Sequence, residues 1–120
     1  MSVIDEIRAE RARQISEEGW TPNHDDMHHS DRSLSRAAAT YAWLAALRDS
    51  EREKALDFPY QDANVISHNL ARRLWPAGWG FPKLKDRRRD LIRAAALIVA
   101  EIERLDRKAT PPSLSSANPE

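Results

Sequence analysis

The stretch that decides the fold is KDRRRDLIRAAALIVAEIERLDR, Lys85–Arg107. Leu91, Ala94, Ala95, Ile98, Ile102 and Leu105 recur in it at three- and four-residue steps, the period of one helix face. Asp86 stands where an N-cap belongs, and the pattern holds through to Asp106. An apolar stripe of that length has to be covered by other elements, so this segment is expected to be the core helix.

Working toward the N-terminus, WPAGWGFP (Trp75–Pro82) sets two Pro and two Gly among three aromatics, a composition that breaks helices but can bury rings as a packed loop. ANVISHNLARRLW (Ala63–Trp75), with Val65, Ile66, Leu70 and Leu74, predicts a shorter helix, and the charged DSEREKALDFPYQD before it has a weaker pattern. A helix from about Ser33 to Arg48 places Leu34, Ala38, Tyr41 and Ala45 on one face, with Asp31 or Ser33 as its cap. A first helix runs from about Val3 to Glu18. Ser2 and Asp5 form a capping box, Ile4, Ile7, Ala12 and Ile15 make a thin apolar stripe, and Gly19 is the C′ stop. The tail ATPPSLSSANPE has almost nothing to bury and is expected to be disordered. No segment alternates with period two. The expected fold class is therefore all-α, a small bundle of three main helices and one shorter one, forming a single domain over 1–108 with a tail over 109–120.

Composition narrows the function classes. Lys plus Arg and Asp plus Glu number 19 each, so net charge is zero and nucleic acid is not the expected partner. Without cysteine, neither a disulfide framework nor a zinc-thiolate site can form. The charged start MSVIDEIRAE lacks the apolar core of a signal peptide, and no apolar run reaches membrane-spanning length, so a cytoplasmic protein without membrane contact is expected. Four Trp exceed the needs of a small core, which leaves a ring for a surface or a ligand.

Three groups of residues could carry chemistry. On the first helix Glu6, Glu10, Arg13, Gln14 and Glu17 share a polar face, read either as a solvated face laced with ion pairs or as the lining of a cavity reached by Glu10 and Arg13. The segment GWTPNHDDMHHSD (Gly19–Asp31) has the atoms for a Zn, Mn or Mg site, but His24 and His28 share a face only if it is helical, which Pro22 and the two Asp do not promise. It is read as a loop tied by its own side chains, and no metal is assigned. At the start of the last helix Arg88, Arg89 and Arg93, with free amides, suit phosphate, Asp86 and Asp90 offsetting part of their charge; equally, Asp90 pairs with an arginine of its own helix or the first helix and only fixes the packing angle.

In order along the chain, ERARQ (Glu10–Gln14), EGWTPNHDD (Glu18–Asp26), LSRAAATYA (Leu34–Ala42) and KLKDRRRDLIRAAALIVAEIERLDR (Lys83–Arg107) resemble a widespread group of small phage and prophage proteins. That group carries ERxRQ, EGWTxEHDD, GELAxAAxxYA, a Trp-Pro loop and RRDLxKAxALIxAEIERLDR. The resemblance implies a phage origin, hence the host cytoplasm, and no established activity. Here Asp31-Arg32-Ser33 replaces the Gly-Glu pair of the group.

Two functions from different classes follow. The first is a binder that sequesters a small phosphate-bearing nucleotide ligand, such as a host immune signal, without catalysis or cofactor. Its expected ligand residues are Glu10, Arg13, Trp20, His24, Asp25, Asp26, Arg88, Arg89, Asp90 and Arg93: Trp20 stacks a base, the arginines meet phosphate and the carboxylates accept from hydroxyls. The second resembles the MazG-like pyrophosphohydrolases, in which carboxylates such as Glu6, Glu10, Glu17, Asp25, Asp26, Asp90 and Glu101 would hold Mg²⁺ or Mn²⁺ against a nucleoside triphosphate. A third reading is an inhibitor that binds a host protein. The thin stripe of the first helix and the alanines of the second suggest a homo-oligomer, a dimer or higher.

Overall fold

The computed structural model describes residues 2–29, 31–55, 73–76, 79 and 84–109. Among them are five helices and no strand: α1 (Val3–Glu17), α2 (Pro22–His28), α3 (Ser33–Ala46), α4 (Asp49–Ala55) and α5 (Arg87–Ala109). The chain is all-α, and no described helix is long and apolar enough to cross a membrane.

Local side-chain chemistry sets most helix ends. Ser2 Oγ accepts from the Asp5 N–H at 3.1 Å while the Asp5 carboxylate accepts from the Ser2 N–H at 3.3 Å, completing the expected capping box. Gly19 takes φ +74°, and the Trp20 N–H returns to the Gln14 carbonyl at 3.0 Å, which closes the end of α1. Asp86 caps α5 as expected, its Oδ1 accepting from the Arg89 N–H at 2.9 Å.

Elsewhere the structure corrects the sequence reading. The segment read as a loop after Gly19 contains α2, because Thr21 Oγ1 accepts from the His24 N–H at 3.2 Å and Pro22 occupies the first helical position, where no N–H is needed. Neither Asp31 nor Ser33 is the N-cap of α3. Arg32 holds that place in the left-handed region at φ 71° with no side-chain cap, and Asp31 Oδ1 accepts from the Ser33 N–H instead. The charged segment after Arg48 opens as α4, with Glu51 accepting from the Arg48 N–H at 3.1 Å. The helix expected over 63–75 lies outside the described residues except for Arg73–Trp75, and the expected tail lies outside them except for Ala109.

α5 is the central element, packed most extensively against α3, then against α1 and α2. α3 runs antiparallel to it: Arg87 Nε donates to the Ala45 carbonyl at 2.8 Å near one end, and Ser35 shares a groove with Leu105 near the other. Leu34, Ala37, Ala38 and Tyr41 of α3 close on Ala94, Leu97 and Ala100 of α5. The alanines let the helices approach closely. Burying each leucine there contributes roughly 1.5–3 kcal/mol.

The face of α5 that points inward meets the expected one at Ala94, which is buried, and departs from it elsewhere. Leu91, Ile98, Ile102 and Leu105 are 47%, 47%, 52% and 49% exposed, and the buried set includes Asp90, Ile92, Ala94, Leu97, Ala100, Glu101 and Arg104. α1 is turned likewise, with Ile4 exposed and Glu10, Arg11 and Gln14 buried. The cause is electrostatic: the inward polar face of α1 meets arginines of α5, which supply partners its carboxylates would otherwise find only in water.

Candidate functional site

α1 builds the first part of the site. Glu10 is 1% exposed; it accepts from Arg13 Nε and Nη2, both at 2.9 Å, and from Gln14 Nε2 at 3.3 Å, and it pairs with Arg89 across the helix interface. Burial pushes its carboxyl up, but the two guanidinium groups outweigh that and hold it below the ordinary glutamate value. The reciprocal pull of Glu10 raises Arg13 further. Nearer the surface Glu6 pairs with Arg88, whose hydrogen bonds lower the Glu6 pKa.

Gln14 spends its amide N–H on Glu10, and its buried Oε1 has no partner among the described residues. It lines a small cleft with Glu10, Arg13, Glu18, Trp20, Tyr41, Arg93 and Leu97, where α1, α3 and α5 come together. The cleft's two aromatic lining residues, Trp20 and Tyr41, are joined behind it by a chain of rings: Trp20 lies 5.0 Å from Trp79, Trp79 5.7 Å from Trp75, and Trp75 5.5 Å from Tyr41, all between ring centroids. The Arg93 guanidinium sits 5.1 Å over the Tyr41 ring and pairs with Asp90 at 3.4 Å. The enclosed volume is about 20 Å³, room for roughly one water.

α2 builds a second cluster. Asp25 is fully buried, accepting from Arg11 Nη2 at 2.9 Å and facing His29 Nδ1 at 2.7 Å, while Arg11 Nη1 also donates to the Trp20 carbonyl. The His24 ring stands 4.6 Å from that of His28 and 4.9 Å from that of His29, and its buried Nδ1 has no partner among the described residues. Burial lowers the His24 pKa, neighbouring His29 and His28 lower it further, and Asp25 opposes them. Asp26 points the other way, to Arg107 near the end of α5, which binds it through three contacts of 2.8–3.2 Å and holds its pKa down.

Of the ligand residues expected from sequence, Glu10, Arg13, Trp20 and Arg93 share the cleft. Arg89 and Asp90 reach it through Glu10 and Arg93. His24 and Asp25 belong to the α2 cluster, Asp26 to the far end of α5 and Arg88 to the surface, so the aspartates of α2 pair with Arg11 and Arg107 and not with the arginines that open α5. Sequence reasoning gave no ligand role to Gln14, Tyr41 or Leu97 and passed over Arg11 altogether. Arg11 had a signal, since it stands where the series Ile4, Ile7, Ile15 would continue the apolar stripe.

Two apolar grooves flank α5 on its outward side. One, of about 360 Å³, runs between α1 and α5 along Ile4, Ile7, Ala95 and Val99. The other, of about 330 Å³, lies between α3 and α5 along Ala38, Ala42, Ile98, Ile102 and Leu105. Comparison with protein-family models, with curated proteins and with solved structures finds no match.

Proposed function

We propose that this chain is a non-catalytic binder of a small nucleotide-derived ligand, taken up at the junction of α1, α3 and α5. The observation that carries this is Gln14 Oε1, a buried acceptor with no donor among the described residues, in a cleft that it shares with Trp20 and the guanidinium groups of Arg13 and Arg93. A buried acceptor without a donor costs about 1–3 kcal/mol, and a base amino group or a ribose hydroxyl would supply the donor. Trp20 offers a stacking face. A phosphate would meet Arg13 by displacing Glu17 and Glu18, which are more exposed than Arg13 and hold it at 3.2 and 3.6 Å. Because the cleft encloses so little volume, entry of a base requires Trp20 to swing away from it. The resemblance to phage proteins makes signalling nucleotides the first class to try.

The hydrolase reading is less well supported. All seven carboxylates considered for it, Glu6, Glu10, Glu17, Asp25, Asp26, Asp90 and Glu101, already lie against an arginine of the same chain. A Mg²⁺ cluster would have to expel several guanidinium groups at once. Titration calorimetry of the full chain against ADP-ribose, NAD⁺, ATP and cyclic dinucleotides tests the proposal. Saturable heat that disappears in Gln14→Leu and Trp20→Ala supports it, and absence of heat with every nucleotide defeats it. Pyrophosphate release from a triphosphate with Mg²⁺ would favour the hydrolase.

A second reading has its own observation. Leu91, Ala95, Ile98, Ile102 and Leu105 alternate at four- and three-residue steps along the outward face of α5, which is the seam of a coiled coil, and apolar grooves lie on both sides of it. A ridge flanked by grooves of the same character is self-complementary, so a second copy of the chain is the proposed occupant. Sedimentation over a concentration series should give a dimer that Ile98→Glu converts to a folded monomer; a monomer at every concentration, or a requirement for a host protein in pull-down, replaces this reading.

A further inference from the structure

We infer that the α2 cluster is a binding site for a divalent first-row transition ion, zinc before others, held by His24, Asp25 and His29. Nitrogen of each imidazole and an oxygen of the Asp25 carboxylate already lie within 4.8 Å of one another, and two of the three residues are buried. This goes beyond the nucleotide-binding proposal and does not depend on it, since the cleft on α1 uses none of the three.

Helicity brings the three side chains together. As a loop, Pro22–His28 would not place these side chains together; as helix α2 it sets His24 one turn before His28, with Asp25 and His29 four residues apart beside them. His24 Nδ1 is buried and has no partner among the described residues, which leaves the ring a ligating nitrogen turned away from water. Two imidazoles and one carboxylate are the set that suits zinc, cobalt, nickel or copper, and they are a poor set for Mg²⁺ or Ca²⁺, which need more oxygens.

The surroundings are those of a supported site. Arg11 binds Asp25 Oδ2 at 2.9 Å and leaves Oδ1, the oxygen facing His29, for the cation. The positive charge of Arg11 beside a cation is countered by Glu103, 3.5 Å from Arg11 Nε. Trp20 and Trp79 stand against His29 at 5.7 and 5.2 Å between centroids and form an apolar shell. Tetrahedral zinc with bonds of ~2.0–2.2 Å holds its donors about 3.3 Å apart. Binding therefore requires the His29–Asp25 contact to open slightly and the His24 ring to swing inward about its own torsions.

The test uses the full chain freed of any affinity tag. Co²⁺ is titrated while tryptophan fluorescence and the visible d–d absorption are followed, with Zn²⁺ as competitor. The expected result is one-to-one saturable quenching, a d–d band of tetrahedral intensity and displacement by Zn²⁺. His24→Ala, with its helicity checked by circular dichroism, should weaken binding tenfold or more, and so should His29→Gln if it folds. Arg11→Lys keeps the charge but loses the fork and should weaken binding less. No saturable quenching, or wild-type affinity in His24→Ala, overturns the assignment, and so does binding that is lost in His28→Ala and kept in His29→Gln.

Discussion

The two seams of α5 are built from opposite materials. Toward α3 it buries Ala94, Leu97 and Ala100 against Leu34, Ala37, Ala38 and Tyr41. Toward α1 it offers Arg88, Arg89 and Glu103 to Glu6, Glu10 and Arg11. The first seam gains free energy by removing apolar surface from water, and any helix of similar size and shape would satisfy much of it. The second gains little net energy, because desolvation offsets attraction, but a shift of register by one residue leaves charges unpaired. The α3 seam thus supplies stability and the α1 seam supplies a unique placement. The candidate cleft sits where they meet, lined by Glu10, Arg13 and Gln14 from one side and by Tyr41 and Leu97 from the other.

Breaking a buried ion pair on one partner should give the largest effect. Asp90 accepts from the Lys85 N–H and pairs with Arg52 and Arg93, so Asp90→Ala should lower unfolding free energy in urea by roughly 3–5 kcal/mol. A loss below about 1 kcal/mol would mean that the pairs behave as surface pairs and that the contrast between the interior charges and the apolar seam is false. On the apolar seam Leu97→Ala should cost about 2–4 kcal/mol, since the alanines around it are too small to fill the cavity.

Acid separates the seams further. The Glu10 pKa is lowered on folding, so the unfolded chain takes up its proton first as pH falls. The stability that Glu10 contributes is complete above its unfolded value of 4.5 and is lost as pH falls through the folded value. Urea midpoints from pH 7 downward should therefore fall more steeply in the wild type than in Glu10→Gln, while Leu97→Ala keeps the wild-type slope. The smallest effect concerns His24, whose folded pKa is also lowered. Its neutral form contributes stability that is complete above its unfolded value of 6.5 and declines as pH falls through the folded value. His24→Gln should flatten the midpoint curve just below pH 6.5 and leave the Glu10 region unchanged.

The helices were legible where local chemistry specifies them. The Ser2–Asp5 box, Gly19 and Asp86 act within one turn, and each does in the structure what its position in the sequence indicates. α2 was missed because Pro22 was weighed as a breaker, whereas at a first helical position after Thr21 it is a helix starter. The facing of α5 was misread for a different reason. Periodicity identifies a stripe but not its direction, and Leu91, Ile98, Ile102 and Leu105 were assigned to the interior because apolar residues usually go there. What turned the helix is the non-local pairing of Glu10 with Arg89 and of Asp90 with Arg52, which no window of the sequence contains. Half of the candidate cleft was legible for the same reason. Trp20 and Arg93 were visible as residue types, and Gln14 Oε1 became informative only once its lack of a donor could be seen.

The junction of the two seams is the proposed ligand site, and titration calorimetry with nucleotides on the wild type and on Gln14→Leu tests it most directly. Saturable heat with one nucleotide class, lost in Gln14→Leu while that variant keeps or raises its urea midpoint, is the expected result. Removal of an unpartnered buried acceptor offsets the loss of the 3.3 Å donation from Gln14 to Glu10, which Arg13 and Arg89 still hold, so the midpoint should not fall. Absence of heat from every nucleotide, or wild-type heat from Gln14→Leu, would contradict it.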